Sequence, residues 1–243
     1  MAQLKVPSLQ HLARNWRDDP TRVSKILVRL ALNPPTFSYN PLFLAVRDLL
    51  VFGVPYEDVV EGIKKGVKRE KVRDNLLSVL PLIRDHFADV SPDFFQFVDR
   101  RFYPVARELM VPFEPPMIYG VGGQLYFPWL SFWRRNPIAR ERLSLFVTLV
   151  DEVMLQDPDL ETARFSVLDF SVSSSKKREL TVIDARDIPR VSESRKNEML
   201  QVFAEGFFLA QQELKKATED KPAEEEKPTS DPDQPSFFDE PPP

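Results

Sequence analysis

The stretch Met117-Ile118-Tyr119-Gly120-Val121-Gly122-Gly123-Gln124-Leu125-Tyr126-Phe127 decides the fold class. Met117-Ile118-Tyr119 and Leu125-Tyr126-Phe127 are apolar runs, rich in aromatic and branched side chains, that face each other across Gly120 to Gly123. This is the pattern of a β-hairpin. Clustered glycines also cradle phosphates, but such loops open directly into a helix. Here no helix follows, so the glycines read as a turn. Just upstream, Pro112, Pro115 and Pro116 exclude helix.

Outward from this hairpin the period changes. Leu143, Phe146, Val147, Val150 and Met154 recur at helical spacing, which predicts a helix from about Pro137 to Leu155. Arg164 to Val172 and Glu179 to Asp184 are β-branched and aromatic runs around the polar loop Ser173 to Arg178, a second hairpin. Pro189 and Ser192 precede a long last helix, in which Leu200, Phe203, Phe207, Ala210 and Leu214 form one apolar stripe.

Upstream the chain reads as short helices. Ser8 caps a helix holding Leu9, Leu12 and Trp16, and Pro20 begins the next, striped by Ile26, Leu27, Leu30 and Ala31. Asn40-Pro41 is a start signal and Gly53 the matching stop. Tyr56 to Lys65, a break at Gly66, then Val67 to about Leu80 reads as a helix-turn-helix pair. Ser91-Pro92 opens another helix with Phe94, Phe95 and Val98. The expectation is an α+β fold: a helix-rich N-terminal half, residues 1–110, followed by two β-hairpins packed with two long helices, residues 111–217, as one folded body. No internal repeat is present.

Composition narrows the chemistry. Cysteine is absent, which excludes disulfides, thiolate catalysis and cysteine-bearing zinc sites and suits a reducing, cytoplasmic setting. His11 and His86 are the only histidines, too few and too far apart for a triad or a multi-histidine metal site. No basic-then-apolar leader opens the chain, and the apolar run Leu42 to Val54 carries Arg47 and Asp48 and is too short to cross a bilayer. A soluble protein without membrane partner or cofactor is expected, and no catalytic constellation stands out.

The formal charge of −4 hides an asymmetry. Thr218 to Pro243 holds nine acidic residues, two lysines and seven prolines, net −7, so the body carries 31 basic against 28 acidic residues, net +3. Such a segment buries too little apolar surface to offset its ordering entropy and is expected to be disordered. One island interrupts it: Gln234-Pro235-Ser236-Phe237-Phe238.

This pentapeptide resembles the binding motif of the bacterial sliding clamp, the β subunit of DNA polymerase III. That motif is a glutamine, a variable residue, Ser or Asp, and two large apolar residues. The resemblance covers five residues and departs from the usual form at Pro235 and Phe237, where leucine is common. It implies that Gln234 hydrogen-bonds at the mouth of the clamp's pocket, that Ser236 holds the polar position, and that Phe237 and Phe238 fill the apolar floor. In size and helical first half the chain also resembles Soc-type toxins, which inhibit replication by occupying the clamp. That likeness implies a non-enzymatic role and a regulatory protein partner of antitoxin kind. The linker Thr218 to Asp233 would span roughly 20–24 Å if flexible, enough to bring the body near DNA at the clamp.

Other candidates have plainer readings. Lys64, Lys65, Lys68, Arg69, Lys71 and Arg73 could contact DNA phosphates, but Glu57, Asp58, Glu61, Glu70 and Asp74 share their helices, which favours a mixed-charge solvated face. Trp129, Phe132 and Trp133 interleave with Arg134, Arg135, Arg140 and Arg142, a pattern for stacking single-stranded bases or, more simply, a core edge with arginines facing water. Asp157, Asp159, Glu161, Asp169 and Asp184 around the second hairpin could form a nuclease-like magnesium site. Yet Arg186 stands where such nucleases want a lysine, so surface acids are the better reading. Three functions follow: a clamp-docking modulator of replication, a clamp-tethered DNA-processing enzyme, or an adaptor whose tail binds another partner.

Overall fold

Proline and short polar side chains set the helix starts. The computed structural model describes residues 4–219; α1 (Leu9–Asn15) follows Ser8, which holds the cap position without a side-chain cap hydrogen bond, and α2 (Pro20–Leu32) opens on proline. The Asp19 carboxylate accepts the Thr21 N–H at 2.8 Å, filling one of the donors a helix start leaves open. In α3 (Asn40–Leu50) the cap position is Tyr39 rather than Asn40, and Ser38 Oγ accepts the Asn40 N–H. Gly53, at φ +59°, lets the Val54 N–H return to the Asp48 carbonyl at 2.9 Å and closes α3.

The helical pair after it differs from expectation. The chain forms α4 (Tyr56–Gly66), α5 (Glu70–Leu77) and α6 (Leu80–Phe87), with the second member starting later and breaking at Ser78-Val79. The helix expected from Ser91-Pro92 is not formed. Phe94–Gln96 is instead strand β1, paired antiparallel with a later strand, because the ladder offers this short aromatic run partners that a one-turn helix lacks. Strand structure thus begins well before residue 111.

The two expected hairpins are present and belong to one sheet. A further hairpin, β2 (Arg101–Ala106) with β3 (Leu109–Phe113), precedes them and stands apart as a two-stranded sheet. Then β4 (Ile118–Val121) and β5 (Gln124–Ser131) pair across Gly122 and Gly123, both at positive φ. Helix α7 (Glu141–Met154) carries the chain over to β6 (Arg164–Asp169), which lies parallel to β5, and β6 pairs antiparallel with β7 (Thr181–Asp184). The sheet order is β1-β4-β5-β6-β7, and α8 (Glu193–Glu219) completes the described chain.

Alternation along the strands divides the core in two. Phe127, Trp129, Phe165 and Val167 face one layer, built of α1, α2, α7, α8 and the β2–β3 hairpin. Tyr119, Leu130 and Leu168 face the other, built of α3 to α6. The sheet is therefore covered on both faces. The α2 and α8 helices pack against each other: Trp16, just ahead of α2, donates its indole N–H to the Met199 carbonyl, and Gly206 meets Pro20 and Val23. A Cβ on Gly206 would stand 2.5 Å from Val23, so only glycine allows this approach. Among the described residues no helix is long and apolar enough to cross a membrane.

Candidate functional site

Separate stretches of basic sequence meet at one place. One face of α5 carries Lys71, Asp74 and Asn75, with Ser78 just past its end, and the loop between β6 and β7 carries Lys176, Lys177 and Arg178. With Arg134, from the segment after β5, they line an open cleft of about 600 Å³. Pro81, Leu82 and Val172 complete its wall.

Arg178 is the strut of this cleft. Its Nη1 donates to the carbonyls of Phe132 at 3.1 Å, Trp133 at 3.0 Å and Phe170 at 2.6 Å, and its Nη2 donates to Asn75 Oδ1 at 2.7 Å. One guanidinium thus ties the β6–β7 loop to the end of β5 and to α5. Burial lowers its pKa from the ordinary value and Arg134 pushes the same way, against Tyr39 and Asp169.

The neighbouring loop is built to a fixed shape. Ser173 N–H bonds the Lys177 carbonyl at 2.9 Å, Lys176 N–H bonds the Ser173 carbonyl at 3.1 Å, and Lys176 sits at φ +64°. The Ser173 and Ser175 hydroxyls both donate to Glu179 Oε1, which lowers the Glu179 carboxyl. The acid closest in sequence to Lys176 and Lys177 is thereby occupied with serines. Among the described residues Lys71, Arg134, Lys176 and Lys177 make no ion pair, and Asp74 is the one acid lining the cleft.

The other basic residues sort differently. Lys64 and Lys65 both pair with Glu61, at 3.5 and 3.6 Å, as a mixed-charge helix face would have it. Arg69 bonds the Thr36 carbonyl and hydroxyl. Lys68 and Arg135 are exposed, outside the cleft lining. Trp129 and Phe132 are core residues, at 6% and 2% exposure, packed on Phe146 and Phe170 respectively, so they present no platform for bases. Arg134 and Arg135 face water from the edge of that core.

The acids of the second hairpin do not converge. Asp157 is bound by Arg101 at 2.5 Å, a bond that lowers its carboxyl. Asp184 is held by Arg186, whose bonds lower it to about 2. Asp169 is buried and takes bonds from Asn136 and from Ser171, yet burial still raises it. Asp159 and Glu161 are exposed. Among the described residues no three acids or histidines gather as a metal site. His86 lies in the last turn of α6, and its pKa is lowered by burial.

Sequence reasoning passed over Lys176, Lys177 and Arg178 as part of a polar loop. The signal was a run of three adjacent cations between two strands, but its meaning depends on Lys71 and Arg134, both more than forty residues upstream. Gln234, Ser236, Phe237 and Phe238 lie outside the described residues. No protein-family model matches the chain. No curated protein is significantly similar to it in sequence.

Proposed function

We propose that the chain is a non-enzymatic protein that docks on a bacterial replication sliding clamp through Gln234-Pro235-Ser236-Phe237-Phe238 and modulates or inhibits DNA synthesis. The observation that carries this reading is the pentapeptide itself: two adjacent phenylalanines and a glutamine in a segment otherwise made mostly of acids, prolines and small residues, with two lysines. A short peptide of this kind binds by placing a few anchors in a pocket of its partner.

The reach fits as well. Helix α8 runs to Glu219, leaving Asp220 to Asp233 between it and the pentapeptide. A linker of that length, if flexible, would span about 19–22 Å root-mean-square, and more if charge and proline extend it. A clamp-bound chain would keep its body beside the clamp, where it could compete with a polymerase for the same pocket.

Titrating a fluorescent peptide covering residues 229–243 with purified bacterial clamp tests this directly. The wild-type peptide should bind and the Phe237→Ala/Phe238→Ala peptide should not, because the doubly truncated peptide loses both apolar anchors. Equal binding, or none by either, sinks the clamp reading. Overexpressing the full chain and the same double variant while following DNA synthesis then separates blockade from recruitment. Only blockade makes the wild type, and not the variant, arrest replication.

A further inference from the structure

We propose that the cleft between α5 and the β6–β7 loop binds consecutive phosphates of a nucleic-acid backbone, without reading base sequence. Lys71, Arg134, Lys176 and Lys177 converge there from three separate segments, around a fifth cation that is already committed. Holding like charges together is unfavourable unless an anion joins them, and Asp74 alone does not balance them. The fixed loop presents Lys176 and Lys177 without needing to be ordered at the moment of binding.

The type of cation argues for phosphodiester. Three of the four available groups are lysines, which act as point charges and suit a string of phosphates. An acidic peptide would favour guanidinium forks, but the Arg178 fork is filled by carbonyls and Asn75 Oδ1. An opening of about 600 Å³ exceeds what one phosphate needs. No aromatic ring lines it, so bases have nothing to stack on and only the backbone is recognised. This site does not depend on clamp docking. The competing occupant is the chain's own acidic segment from Thr218 to Asp233.

The test is polarisation of a labelled duplex of about 20 base pairs with the full chain, between about 50 and 200 mM salt. Wild type should bind at low salt and weaken steeply as salt rises. Lys71→Ala/Arg134→Ala/Lys176→Ala/Lys177→Ala should bind at least about tenfold more weakly and lower the log–log salt slope by roughly three to four, since each lost contact removes about 0.9. Lys64→Ala/Lys65→Ala, whose lysines pair with Glu61, should stay within about twofold of wild type. Should the fourfold variant fail to fold, Lys176→Ala/Lys177→Ala on the loop should lower the slope by about two. The proposal is overturned if wild type shows no salt-dependent binding, or if removing the cleft cations leaves binding unchanged. It is equally overturned if a peptide of residues 218–233 displaces the duplex at equal charge concentration, which would make the cleft a seat for acidic peptide.

Discussion

Two charged clusters in this molecule are built on opposite plans. Where α8 packs on α7 and β2, Lys196 is 6% exposed and closes on Glu152 at 2.6 Å and Glu193 at 2.7 Å, while the Tyr103 hydroxyl donates to the other oxygen of Glu152. In the cleft, Lys71, Arg134, Lys176 and Lys177 stand exposed with one acid among them. The first arrangement spends its charges on holding elements together. The second leaves them available, and pays for its rigidity through Arg178, whose bonds go to backbone carbonyls rather than to a carboxylate. A cation's partner, more than its position, separates structural from binding roles.

The sharpest way to break this contrast is at Arg178. If it is a strut, Arg178→Met strands the carbonyls of Phe132, Trp133 and Phe170 and the Asn75 side chain together. Several charge-assisted bonds lost at once should cost about 2–4 kcal/mol, seen as a lower denaturant midpoint at unchanged slope. Arg178→Lys should rescue little, because one ammonium cannot span a four-acceptor fork. A loss below about 0.5 kcal/mol, the range of ordinary surface changes, would place Arg178 with the ligand-binding cations instead.

His11 represents a third case, a basic group buried without a counter-charge. It lies edge-on to Trp133, with Arg14 over the same ring. Burial first, and Arg14 second, lower its pKa from 6.5 to about 4. Between those values the unfolded chain binds the proton that the folded chain refuses. The His11 contribution should therefore be full above pH 6.5, fall as the pH drops from 6.5 to 4 and level off below that, by up to about 3 kcal/mol. His86, also lowered, pulls the same way, while the raised Asp169 pulls oppositely. Comparison with His11→Gln isolates the His11 share. The variant should lose less stability between pH 7 and 4, and parallel curves would show that His11 does not drive the change.

How much of this was legible in the sequence follows the range of the contacts. The turn at Gly122-Gly123, the helical period from Leu143 to Met154 and the proline starts at Pro20 and Pro41 are local signals, and the structure honours them. The α+β class followed from these. Three features were not local. The β2–β3 hairpin hides behind Pro104 and Pro112, which it accommodates because a two-stranded sheet consists only of edges. Strand β1 exists through its pairing with Gly120, Tyr119 and Ile118 rather than through its own three residues. The parallel joint of β5 to β6, which fuses two hairpins into one sheet, is formed by a crossover through α7 that no short window displays. The cleft shares that property. Its cations are separated by long stretches of chain, and each stretch alone reads as solvated surface.

The smallest effect tests the structural half of the comparison. Burial alone would lower the Lys196 ammonium, but the hydrogen bonds with Glu152 and Glu193 outweigh it and hold it above its ordinary range. A raised cation stabilises the fold fully below its unfolded pKa of about 10.4 and loses that contribution only at higher pH, so at neutral pH Lys196 is a constant term. Breaking a fully buried pair costs about 3–5 kcal/mol because the survivor is left charged and dry. Here the survivors are not dry: the Glu152 side chain is 35% exposed and that of Glu193 is 73% exposed, so both carboxylates can return to water. Lys196→Met should therefore cost only about 1–2 kcal/mol, discounted for solvent screening. Glu152 joins Lys196 to Tyr103, so adding Tyr103→Phe should depart from additivity by roughly 0.5–1 kcal/mol. Strict additivity in the double variant would mean that the two bonds to Glu152 act independently, and that the cluster is a set of separate pairs rather than one connected brace.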